Sequence, residues 1–255
     1  VADLDLATVA VSEPRIALVE TWFHDMDAGW TRWVLDDAGI PFTVLRPGDV
    51  EATDLARDFD VILFPDQSAD VLTKGKYTRG DDDYWTPDFP PEYTRPISED
   101  GLKKLASFVD GGGVDVSWGE STALFLDEME VPRGKTETES VRLPVRDVSK
   151  TLAEQGLEVP GSFLAVDLRE DHPVTWGMPR RTGVFSRGAP VFATSVPSLG
   201  TDRRVLATHP EHDALVSGYA ARPELLGNRP VAVWTRIGRG QVVLFGFSPQ
   251  FRGST

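Results

Sequence analysis

Acyl-transfer chemistry at a strand end needs a nucleophile on a tight turn, with a base beside it and a third group to orient that base. The segment Ser98 to Thr122 (SEDGLKKLASFVDGGGVDVSWGEST) has the layout for it: helix, Gly111-Gly112-Gly113, strand, tight turn, helix. Such a strand-to-helix turn is where nucleophile-elbow enzymes present their catalytic residue. Here it reads Ser117-Trp118-Gly119-Glu120, so the nucleophile position is empty. The chain has no cysteine, which excludes a cysteine-dependent amidotransferase. Ser117 and Ser121 flank the turn, but neither stands in a Gly-x-Ser-x-Gly elbow. Either would need His209 or His212 as a base from far along the chain. Asp66, directly after a strand, and Glu120 can form a carboxylate pair at one sheet edge. Alternatively, Asp66-Gln67-Ser68 turns or caps the chain, and Glu120 sits at a helix N-terminus, where the dipole favours it. Arg32 is expected to meet Asp66 across the same edge as an ion pair, either structural or holding a polar ligand.

Metal chemistry finds less support. The four histidines are His24, His172, His209 and His212. His209-Pro210-Glu211-His212 has the composition of a ligand cluster. It follows a strand on a loop, however, and does not lie on a helix as a His-Glu-x-x-His zinc site does. Pro210 also dictates backbone direction there. The pair reads as structural or surface. Asp171-His172-Pro173 reads as a turn. Asp81-Asp82-Asp83 lacks the alternating ligand spacing of a calcium loop and reads as a solvated charge run. No metal and no cofactor is expected.

The elements that must position these residues alternate strand and helix. Arg15 to Glu20 is a buried apolar strand after Pro14. Asp27 to Ala38 follows as a helix ended by Gly39, with Trp30, Trp33, Val34 and Ala38 as its core face. Trp22, Trp30 and Trp33 are read as core residues. Gly29 lets the helix start approach the first strand, and Thr31 and Arg32 project near the sheet edge. Pro41 to Arg46, Phe59 to Pro65 and Gly113 to Trp118 are further strands. Ser98 N-caps a long helix to Asp110, with Leu102, Leu105, Ala106 and Val109 facing the core. Near-continuous apolar strands separated by helices mean a parallel sheet covered on both faces. The expected fold is α/β: a flavodoxin-like, doubly wound, mostly parallel sheet with a β-rich C-terminal extension.

That extension is read from shorter strands after Val141, the last two joined by the Gly238-Arg239-Gly240 hairpin. Residues 1–13 read as a linker and 14–255 as one domain. An insertion loop spans about 74–96 and holds four prolines and five aromatics. Ligands of such sheets bind outside the strand carboxyl ends. The loop is either a lid carrying Tyr84, Trp85, Phe89 and Tyr93, with Trp85 a ligand candidate, or an insertion packed on its own domain.

The net charge of −14 argues against nucleic acid and anionic membrane surfaces, which need a Lys/Arg-rich face. No apolar run approaches the roughly 20 residues of a membrane span.

The stretches PRIALVETW, MDAGWTRWVLDDAGIPFTVL, FDVILFPDQS, PPEYTRPISEDGLKKLASFVDGGG, VPGSFLAVDL, HPVTWGMP and GRGQVVLFGFSPQFRGST occur in order over nearly the whole chain. In these the chain resembles the class I glutamine-amidotransferase-like domain that follows the catalytic domain in a bacterial subgroup of zinc carboxypeptidases of the carboxypeptidase A type. The resemblance implies that fold without its triad, and an upstream peptidase domain in the same polypeptide as partner. The peptidase's own His-x-x-Glu zinc motif is absent, so no ligand or catalytic residue carries over. A secreted or periplasmic location would suit such a parent. Three functions remain: an accessory domain of a zinc carboxypeptidase, a small-molecule or glycan-binding module, and a cryptic serine hydrolase.

Overall fold

The computed structural model of the chain describes residues 12–22, 25–79, 82–84, 89–134, 136–188 and 190–253. The first half runs β1 (Ile16–Val19), α1 (Met26–Asp37), β2 (Thr43–Leu45), α2 (Leu55–Asp58), β3 (Val61–Phe64), α3 (Ala69–Lys74), β4 (Tyr77–Arg79), β5 (Asp82–Tyr84), α4 (Glu99–Asp110), β6 (Val114–Trp118) and α5 (Ala123–Leu126). The second runs β7 (Met129–Arg133), β8 (Glu137–Val141), β9 (Val145–Asp147), α6 (Ser149–Glu154), β10 (Ser162–Leu168), β11 (Arg181–Ser186), β12 (Phe192–Thr194), β13 (Thr201–Thr208), β14 (Leu215–Ser217), β15 (Pro230–Ile237) and β16 (Gly240–Phe245).

Ten strands form one sheet in the order β11-β10-β13-β15-β16-β6-β3-β1-β2, with β14 on β10. The pairs β2-β1, β1-β3, β3-β6 and β6-β16 are parallel. In chain order these five strands read 2-1-3-4-5, the flavodoxin arrangement. From β16 outward the pairing is antiparallel. The expected mostly parallel sheet with a β-rich extension is what the chain forms. The Gly238-Arg239-Gly240 turn joins β15 to β16 as expected.

Apolar strands fix both faces of the sheet. Ala17, Ile62 and Val242 lie in the larger buried cluster with Leu105, Phe108 and Val109 of α4. Val243, with Val116 packed against it, belongs to a second cluster. A third gathers Leu152, Val159, Leu164, Val191, Ala214 and Leu226. Ser98 caps α4 as expected, accepting from the Gly101 amide at 3.0 Å.

Helix α1 turns a different face inward than its tryptophans suggest. Its buried residues are Ala28, Thr31 and Leu35, while Trp33 is 50% exposed. Small side chains let α1 lie close to the sheet, and Trp30 and Trp33 pack edge-on against each other at 6.1 Å. Trp22 is also exposed, held between the Arg46 guanidinium at 3.8 Å and Tyr93 at 4.9 Å. The 74–96 segment is partly ordered rather than all loop: β4 and β5 form a hairpin within it. Gly75 (φ +66) pinches its base, where an added Cβ would strike the Thr94 carbonyl. Trp85, His24 and Asp81 lie outside the described residues.

Candidate functional site

The carboxyl ends of β1, β3 and β6 meet at the topological switch point, where open α/β sheets bind ligands. The chain leaves β6 through Gly119, whose φ of +62 is the left-handed turn of an elbow. A Cβ built on Gly119 would lie 2.1 Å from Asp66 Oδ1. The carboxylate therefore fills the space where a nucleophile's side chain would begin. The Glu120 amide donates to the same oxygen at 2.7 Å. The empty nucleophile position is thus a glycine pinned under an aspartate.

Buried hydroxyls hold this turn. Ser121 Oγ sits 2.9 Å from the Phe64 carbonyl and 2.8 Å from that of Trp118. Ser117 Oγ lies 2.8 Å from Ser121 Oγ. Both serines are fully buried. They staple β6 to the end of β3 and line neither of the two cavities described below.

Asp27, in the first turn of α1, is the second carboxylate. Its Oδ2 accepts from Trp118 Nε1 and, at 3.2 Å, from the Asp66 amide. Its Oδ1 accepts from Ser248 at 3.2 Å and Gln250 at 3.3 Å. Burial raises the Asp27 carboxyl above its ordinary range, against the pull of these donors. Asp66 keeps a solvent-facing side at the mouth, yet the protein packed round its carboxyl raises it to about 6. The Glu120 amide opposes that rise, and the charges of Asp27 and Glu120 add to it. Asp25, which caps α1, is likewise raised to about 6 by burial. Asp25 and Asp66 are thus both held above the ordinary carboxylate range.

Asp27 and Asp66 open into a cleft of about 170 Å³ walled by Trp30, Phe185 and Phe251, with Arg187 and Arg252 at its rim. Phe185 and Phe251 stack at 3.7 Å.

Arg32 does not meet Asp66. It donates to Glu20 at 3.2 Å, beside Arg46 at 3.3 Å. Glu20 lies nearer in the chain and is already gripped by Arg46, so it captures the guanidinium. Asp66 and Glu120 do come together, through the amide contact above and through charge. His209 is buried, with Nδ1 2.9 Å from the Ala165 carbonyl, while His212 is exposed beside Glu211. Among the described residues no cluster of three His, Asp or Glu is placed to hold a metal. Sequence reasoning missed Asp27, Phe185, Arg187 and Phe251. Asp27 stood inside the Met26 to Trp33 stretch it singled out. The other three come from the second half of the chain, and the sheet brings them round.

The chain matches no family model, and no curated protein matches it. Solved structures do resemble it. One is a putative ThuA-like protein from Bacteroides uniformis: 10% identity, 96% of this chain and 86% of that one, TM-score 0.49. Another is a catalytic mutant of a GH42 beta-galactosidase from G. stearothermophilus: 13% identity, 94% and 28% coverage, TM-score 0.50. A third is a putative GMP synthase protein from Thermoplasma acidophilum: 10% identity, 93% and 85% coverage, TM-score 0.45. The chain spans less than a third of the beta-galactosidase chains it matches. At such identities the likenesses speak for the fold alone, and they do not bear on a carboxypeptidase context. What the chain itself shows is the flavodoxin-like strand order with a left-handed glycine, Gly119, at the turn after β6.

Proposed function

We propose that the chain is a non-catalytic binding domain whose switch-point cleft takes a small, neutral, hydroxyl-rich ligand of the sugar class. The observation that carries this reading is the Asp66 carboxylate standing where a nucleophile's side chain would begin. The chemistry of the walls supports the ligand class. The Asp66 carboxyl accepts hydrogen bonds from hydroxyls, and three aromatic rings offer apolar faces to the C–H side of a sugar ring. Two arginines balance the two acids, so the lining asks for no net charge on the ligand. The burial and mutual bonding of Ser117 and Ser121 weigh against a serine hydrolase.

The sequence resemblance supports the wider context: an accessory domain behind the catalytic domain of a zinc carboxypeptidase, with that domain as its partner in the same polypeptide. Two measurements test the two levels separately. A saccharide panel screened by melting temperature tests the cleft, because a ligand that binds only the folded state raises the midpoint. Silence across the panel contradicts the sugar reading. Native mass with zinc stoichiometry tests the context. A polypeptide much larger than 28.0 kDa carrying about one zinc, as a single catalytic site requires, supports it. A free, zinc-less chain of that mass contradicts it.

A further inference from the structure

The His209-Pro210-Glu211-His212 stretch has no part in the switch-point cleft, yet His209 lines a separate cavity of about 200 Å³. Its walls are Leu157, Val159, Leu164, Val191 and Leu226, largely the third buried cluster. The His209 backbone is pinned on both sides: its amide donates to the Arg229 carbonyl at 3.0 Å, and its carbonyl accepts from Asn228 at 3.2 Å. The ring is fixed by Nδ1, 2.9 Å from the Ala165 carbonyl. A carbonyl only accepts, so Nδ1 carries the proton in the neutral ring and Nε2 bears the lone pair. Burial lowers the His209 pKa and so favours that neutral form.

The one described hydrogen bond of the ring is that of Nδ1. Ser186, 8% exposed as a residue and also on the cavity wall, has no described side-chain hydrogen bond. Polar groups on an otherwise apolar cavity wall favour a ligand that can hydrogen-bond to them. The volume exceeds the roughly 150 Å³ that accommodates benzene.

We propose that this cavity is a second binding site, for a small neutral ring molecule carrying a single hydroxyl. The ring lies against the Leu and Val walls, the hydroxyl hydrogen donates to His209 Nε2, and Ser186 supplies the second polar contact. The proposal is independent of the sugar reading, because the two cavities share no lining residue.

Phenol and toluene, titrated separately into the methyl-labelled protein, test it. Phenol is expected to shift the Leu164, Val191 and Leu226 methyls saturably and to bind about five- to ten-fold tighter than toluene, the worth of one buried hydrogen bond. His209→Leu is expected to erase that preference. Because His209 is buried, Ala153→Phe at the exposed cavity mouth provides a second variant that spares the core. It is expected to weaken phenol with the melting temperature unchanged. Absence of saturable shifts, equal affinity for the two probes, or phenol binding untouched by Ala153→Phe would each overturn the proposal.

Discussion

Asp115 shows how a single residue can set the pH dependence of the whole fold. It sits mid-strand in β6, in register with Ile62 and Val242, both fully buried. Neither carboxyl oxygen has a partner among the described residues. Burial pushes the carboxyl well above its ordinary range. A carboxyl raised in the folded state binds a proton there while the unfolded chain has lost it. Stability from this group is therefore full below the unfolded pKa of about 3.9 and is lost as pH rises toward the folded pKa. Asp115→Asn cannot titrate, so its stability relative to wild type is expected to grow as pH rises above about 4. Urea midpoints measured at each pH check this, and a constant difference would contradict it. Asp115→Val removes the unsatisfied group and is expected to stabilise the fold by about 1–3 kcal/mol. A lower midpoint for the valine variant would mean that the carboxyl has a partner. Asp60 has the opposite sign. Arg15 holds it at about 2, so its contribution is present above about pH 4 and is lost as pH falls toward 2.

At the level of elements, the turn after β6 carries the argument. Gly119→Cys would force a Cβ into the Asp66 carboxylate and a side chain into left-handed backbone. A loss of at least about 2 kcal/mol is expected, from backbone strain and overpacking together. In an Asp66→Ala background the same change is expected to be milder by about 1 kcal/mol or more, a coupling that a double-mutant cycle reads directly. Strict additivity would show that the two residues do not compete for one space. The introduced thiol would be the only one in the chain, so its labelling reports access to the elbow as well.

The parts of this arrangement that were legible in the sequence were those written locally. Apolar runs marked β1, β3, β6, β10 and β15, and the Gly-Arg-Gly turn marked the last hairpin. The elbow without a nucleophile was visible because its residues are contiguous. The inward face of α1 was not, because tryptophans at helical spacing outweigh Ala28, Thr31 and Leu35 in any reading by hydrophobicity. The β7–β8 hairpin escaped because β8 is almost wholly exposed and β7 contains Pro132. The closure of Gly119 by Asp66 depends on β3–β6 register across 53 positions, and no local pattern encodes that.

For the whole molecule, the consequence lies in the order of strands. The fifth parallel strand, β16, is the last in sequence and covers β6 from the antiparallel side. A fragment of residues 12–160 keeps four parallel strands but leaves Val114–Trp118 an open apolar edge, a template for intermolecular pairing. Such a fragment is expected to aggregate, and a soluble, cooperatively unfolding fragment would contradict the topology. The same wrapping delivers Phe185, Arg187 and Phe251 to the cleft beside Asp27 and Asp66, so the cleft exists only in the complete sheet. The central claim is that this cleft binds and does not catalyse. Isothermal titration of neutral mono- and disaccharides into the wild type, Trp30→Ala and Asp66→Asn tests it most directly. The account predicts at least one saturable sugar, weakened about ten-fold by each substitution, the scale of one lost contact in a desolvated site. A protein that binds none of them, or binds one equally well without Trp30 and Asp66, would contradict it.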